Sequence, residues 1–119
     1  MLNLSGIFDT HAHYDDGAFD PDRDEVLEKI FTSGVQWILN CGERVETGRN
    51  SMKLAHRYPQ VYFAAGIHPE HANEIGENDL AVIEQLITDE KCAAVGEIGL
   101  DYHYPGFDRE RQKELFVRQ

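Results

Sequence analysis

Two histidines, His11 and His13, stand two residues apart behind the apolar run Gly6-Ile7-Phe8. Residues i and i+2 of a strand point to the same face, so both imidazoles can reach one metal ion. Much later, Val95-Gly96-Glu97-Ile98-Gly99-Leu100-Asp101 places a carboxylate, Glu97, behind another short apolar run. Two imidazoles and a carboxylate form a ligand set for a divalent ion. Imidazole suits Zn or Mn, and carboxylate also accepts Mg. Glycines flanking the Glu97-Ile98 pair permit close backbone approach. Asp9 is expected either to orient an imidazole or to cap the strand end. Asp101 is expected to support the site from behind or to fix its loop. His68, in Gly66-Ile67-His68-Pro69, sits behind a third apolar run. Among other catalytic signatures, there is no P-loop, no GxGxxG and no GxSxG elbow.

The elements that must position these residues alternate regularly. Apolar runs at 7–11, 35–39, 61–65 and 92–95 read as strands. Helical spacing predicts helices over 22–33, 45–58 and 80–87, and a fourth from Arg109 to the end of the sequence. Nearly continuous apolar strands separated by helices imply a parallel sheet with crossover connections, a (βα)4 arrangement. A complete (β/α)8 barrel takes roughly 250 residues. Four units therefore amount to about half of one, and a sheet of four strands would leave an apolar edge uncovered. The last helical pattern carries no stop signal, and a cut within a longer reading frame is the simpler expectation. Phe8, Phe31, Trp37, Tyr62 and Phe63 are expected in the core. The acids Asp15, Asp16 and Asp20 to Glu25 are expected in a solvated loop and a helix start. His56 is expected to be exposed or capping.

Composition narrows the classes. The 119 residues carry 22 acids against 11 Lys and Arg, a net charge of −11. That sign argues against a broad basic surface for duplex DNA. It leaves open a phosphodiester at a metal site, where the ion supplies positive charge. No apolar run approaches the roughly 20 residues of a membrane helix. The opening Met1-Leu2-Asn3-Leu4-Ser5 does not read as a leader, and two cysteines, Cys41 and Cys92, read as buried hydrophobes. A cytoplasmic setting is expected.

Phe8-Asp9-Thr10-His11-Ala12-His13, Gly66-Ile67-His68-Pro69 and Gly96-Glu97-Ile98-Gly99-Leu100-Asp101-Tyr102 resemble, in order and spacing, the signatures of the TatD family of metal-dependent hydrolases and deoxyribonucleases. Arg109-Glu110-Arg111-Gln112, with Phe116 and Gln119, resembles the helix that follows the acidic motif. The resemblance covers essentially the whole chain. It implies a TIM barrel of the amidohydrolase type, with residues 1–119 as the N-terminal part of a single hydrolase domain. It also implies two divalent ions per complete site (Mg, Mn or Zn) and cleavage of phosphodiester bonds in DNA, with DNA ends as substrate.

On that resemblance His11, His13 and Glu97 are metal ligands, Glu97 being catalytic and shared between ions. By the same resemblance His68 contacts substrate phosphate, whereas Asp9 and Asp101 keep the alternatives given above, and Tyr102 and His103 read either as substrate-side residues or as loop packing. The family's remaining ligands, two histidines and an aspartate that activates water, have no counterpart in these 119 residues. Two other readings stay open. One is a non-catalytic half-barrel that binds metal weakly or pairs with a second copy to cover its open edge, which in the hydrolase reading a C-terminal half would cover. The other is an amidohydrolase-type reaction on a small ester, lactone or amide.

Overall fold

A computed structural model describes residues 5–119; the reading of the first four residues lies outside it. Four strands, β1 (Ile7–Ala12), β2 (Val35–Cys41), β3 (Val61–Ala65) and β4 (Cys92–Val95), alternate with four helices. These are α1 (Arg23–Thr32), α2 (Val45–Arg57), α3 (Glu77–Leu86) and α4 (Arg109–Arg118). Short 3-10 turns occupy Gly17–Phe19 and Pro69–His71. All strand pairs are parallel and the order is β1-β2-β3-β4. This is the (βα)4 half of a barrel that the alternation predicts.

One face of the sheet is covered. Ile38, Val61, Phe63 and Ala65 pack on Leu27, Leu54, Ala55, Ile83, Leu86 and Leu115 from the helices. In α2 the buried positions Gly48, Ser51, Leu54 and Ala55 recur at helical spacing and form one stripe. A Cβ on Gly48 would stand 3.1 Å from Leu86 Cδ1, so any larger residue there would make the leucine shift.

The opposite face is open, and here two expectations fail. Phe8 is 50% exposed and Trp37 43% exposed. They are register partners on β1 and β2, and the Trp37 ring lies 6.0 Å from that of Tyr62 on β3. An apolar strand residue is core only when something covers its side of the sheet. The radius of gyration, 15.5 Å, exceeds the roughly 13.5 Å of a compact chain of this length, in keeping with a sheet covered on one side.

The third helix begins at Glu77 rather than at residue 80. Asp79 Oδ2 accepts the Gly76 N–H at 2.9 Å, and Glu77 and Asp79 lie in the first turn, where the helix dipole favours acids. The acidic stretch is also more than a solvated loop. Asp15 Oδ1 accepts from Asn40 Nδ2 at 2.7 Å, and Asp16 caps the Gly17–Phe19 turn through the Ala18 N–H. His56 is partnered too, its Nε2 lying 2.9 and 3.0 Å from the carboxylate oxygens of Asp89.

Candidate metal centre

The candidate ligands sit where the strands end. β1 and β2 lose register between Asp9 and Ala12, where β1 gains a residue. His11 lies within this irregularity and His13 just past it, and their Nε2 atoms stand 3.2 Å apart. Glu97 follows β4, after a cis Gly96–Glu97 peptide. Its N–H donates to the Gly42 carbonyl at 2.7 Å, which ties it to the end of β2. Glu97 Oε1 lies 2.9 Å from His11 Nε2 and 3.1 Å from His13 Nε2.

Ligand atoms about 2.0–2.2 Å from a tetrahedral ion stand roughly 3.3–3.6 Å apart, close to these spacings. Glu97 Oε1 is shut off from solvent, and it lies beside both imidazoles without the geometry of a hydrogen bond to either. An orphaned buried carboxylate oxygen costs free energy, and a cation between the three atoms would satisfy it. The donor set therefore fits a divalent ion.

Two neighbouring histidines are held in opposite tautomers. His13 Nδ1 lies 3.0 Å from the Cys41 carbonyl oxygen. A carbonyl can only accept, so Nδ1 carries the proton and neutral His13 has its lone pair on Nε2. At His68 the Glu70 N–H donates to Nδ1 at 3.1 Å. An N–H can only donate, so neutral His68 carries its proton on Nε2, 3.8 Å from Glu97 Oε2. His13 thus leaves an Nε2 lone pair, and His68 an Nε2–H, facing the Glu97 carboxylate.

The close packing of strand ends brings His68 there. A Cβ on Gly66 would stand 2.7 Å from the Gly96 carbonyl carbon and 2.9 Å from the Glu97 carbonyl oxygen. Only glycine lets β3 and β4 approach this closely. The His68 N–H also donates to the Glu43 carbonyl at 2.8 Å.

The supporting aspartates act on backbone. Asp9 Oδ1 accepts the His11 N–H at 3.2 Å, the strand-capping alternative. Asp101 Oδ1 accepts the His103 N–H at 2.9 Å and so fixes its own loop. Tyr102 lies beneath the Arg109 guanidinium at 4.6 Å, and His103 packs edge-on to Tyr104 with ring centres 4.7 Å apart.

Sequence reasoning gave no role to four positioning residues. Asn40, fully buried, donates to Asp15 and to Ser51 Oγ at 2.8 Å and accepts the Tyr14 N–H at 2.6 Å. Arg23 reaches back to the carbonyls of Tyr14, Asp15 and Asp16. Together they fold the loop that leaves His13. On α4, Gln112 holds the N–H and carbonyl of Asp101, each at 2.8 Å, and Gln119 Oε1 accepts the Ile67 N–H at 2.7 Å. Both glutamines stand among the residues that carry the family resemblance, on the Leu115 face of the helix, but the sequence assigns neither its backbone partner.

Cys41 is buried and free of any disulfide. Burial first, then the charges of Glu97, Asp9 and Asp15, push its thiol up to about 11.

Comparison with known proteins agrees with this fold. The family model described as TatD related DNase matches residues 8–119. The chain is 39% identical over 113 residues to "Uncharacterized metal-dependent hydrolase YabD" of Bacillus subtilis, covering 95% of this chain and 44% of that protein. It is 29% identical over 113 residues to "3'-5' ssDNA/RNA exonuclease TatD" of Escherichia coli, with the same coverage of 95% and 44%. Among solved structures, the TatD homologue YJJV of Escherichia coli superposes with a TM-score of 0.86 at 31% identity, over 94% of this chain and 44% of that one. A TatD family hydrolase from Entamoeba histolytica gives 0.85 at 23% identity, over 96% and 44%. The chain thus spans less than half the length of these relatives.

Proposed function

This chain belongs to the TatD-related DNase family, and on that premise we propose that it carries the first part of a metal-dependent phosphodiesterase centre acting on ends of single-stranded nucleic acid. The observation that carries this reading is the triangle of His11 Nε2, His13 Nε2 and Glu97 Oε1. The exonuclease named among the relatives supports the substrate class.

In this reading His11 and His13 offer their Nε2 lone pairs and Glu97 its Oε1 to a divalent ion. Such an ion lowers the pKa of a water and neutralises charge on a phosphoryl oxygen. The Cys41 carbonyl keeps His13 in the ligating tautomer. His68 presents Nε2–H beside Glu97 and orients a phosphate oxygen through it. Three protein ligands leave positions for substrate and for further side chains. The open face with Phe8 and Trp37 is where further β/α units would pack and deliver those side chains. No helix among the described residues is long and apolar enough to cross a membrane, and the proposed setting is the cytoplasm.

The test is release of nucleotides from an end-labelled single-stranded oligonucleotide in Mn²⁺. It compares the chain, the chain with EDTA, and His11→Ala. Turnover that depends on the ion and on His11 supports the reading. A small aryl ester cleaved in preference to the oligonucleotide would shift it to carboxylic ester hydrolysis.

A further inference from the structure

A second group of ligating side chains lies beside the first, on the loop after β2 and the turn after β3. Glu43, Glu70 and His71 each offer one ligand atom, and these atoms lie within 4.8 Å of one another. All three residues are half-buried.

The backbone holds them in place. The Glu43 N–H donates to Thr47 Oγ1 at 2.8 Å, and the Glu43 carbonyl accepts the His68 N–H at 2.8 Å. The His71 N–H closes the 3-10 turn onto the His68 carbonyl at 3.0 Å. The cluster therefore rests on two segments already joined to each other.

Its electrostatics are unbalanced. Among the described residues no lysine or arginine pairs with Glu43 or Glu70; the partners of Glu70 are His68 and His71. Like charges held this close oppose each other. His71 Nε2 is shut off from solvent and makes no hydrogen bond, its nearest carboxylate oxygen being Glu70 Oε1 at 3.5 Å. An orphaned buried nitrogen beside a carboxylate it does not hydrogen-bond is costly on its own account. A cation resolves both problems, and one imidazole with two carboxylates suits Zn²⁺ or Mn²⁺ better than Mg²⁺.

We propose that Glu43, Glu70 and His71 bind a divalent cation separate from the His11–His13–Glu97 centre. This ion clamps the loop after β2 to the turn that aims His68.

The test uses the 119-residue chain carrying His11→Ala and Glu97→Gln, which removes the first centre. Zinc is titrated by calorimetry, and Mn²⁺ by its broadening of imidazole proton signals. The expected result is one zinc per chain in this background, with Mn²⁺ broadening the His71 ring and sparing His56. Adding Glu43→Gln, which keeps size and shape, or His71→Ala should weaken zinc by about tenfold or more. Zinc binding unchanged by both substitutions overturns the proposal. So does a His71 ring, its Nδ1 3.8 Å from Glu74 Oε2, whose proton signals do not respond to zinc. Failure of the first centre reads out separately, as equal zinc uptake by the parent chain and the His11→Ala/Glu97→Gln background.

Discussion

His13 reaches across the β1–β2 pair to the Cys41 carbonyl, 3.0 Å from its Nδ1. One ring nitrogen thus secures the fold while the other is left for chemistry. Histidine ¹H–¹⁵N correlation spectra should show His13 protonated on Nδ1 and His68 on Nε2 at pH 7.5 and above. A His13 protonated on Nε2 in the metal-bound chain would remove it from the ligand set.

Loss of a ligand and loss of the neighbouring donor should separate. His11→Ala and Glu97→Gln should each lower the affinity for the first ion by 100-fold or more, about 2.7 kcal/mol. His68→Ala should leave that affinity within about threefold and weaken oligonucleotide handling instead. Calorimetry gives the first quantity and fluorescence anisotropy the second. A His68→Ala chain that loses the ion outright would make His68 a ligand.

Asn40 holds three polar partners where water does not reach. Asn40→Ala strands the Tyr14 N–H and Asp15 together. It should cost about 2 kcal/mol in urea unfolding and raise amide exchange through residues 14–20. A loss below about 0.5 kcal/mol would mean that the loop is held by Arg23 alone.

Asp89 ties α2 to the approach to β4. Burial works to raise its pKa, but hydrogen bonds from His56 and from the Lys91 N–H outweigh that and hold it below the ordinary value near 3.8. A lowered folded-state pKa stabilises above the unfolded-state value and loses its effect as pH falls through the folded one. Asp89→Asn should therefore lower the urea midpoint at pH 7, and the gap from the parent should shrink below pH 4. A gap that does not change with pH would sink the ion-pair account.

Phe8 and Trp37 make a prediction about surface rather than stability. Trp37→Ser removes an exposed ring, so its unfolding free energy should stay within about 0.5 kcal/mol of the parent. Binding of an apolar dye should fall, and parent Trp37 fluorescence should be open to iodide quenching. Resistance to iodide in the parent chain would show that this face is covered in solution.

The order of elements was legible because each apolar run and each helical stripe is written locally. The convergence of His11, His13 and Glu97 was legible because all three stand at or just past strand ends, which lie together in such sheets. The start of α3 was not, since Glu77, Asn78 and Asp79 are polar and leave periodicity silent. The fate of Phe8 and Trp37 was hidden for another reason: an apolar residue in a strand does not record whether its face is covered. The roles of Asn40, Arg23, Gln112 and Gln119 were invisible because each depends on a partner in another element or loop. The strand-capping alternative for Asp9 emerged only once the His11 N–H had a position.

The strand order has a mechanical consequence. His11 belongs to β1 and Glu97 follows β4, the two outer strands of the sheet, which share no ladder. An ion held between them would brace one margin of the sheet against the other and set its curvature. Its binding energy would then be drawn from alignment of all four strands at once, so that loading with metal would report on completion of folding.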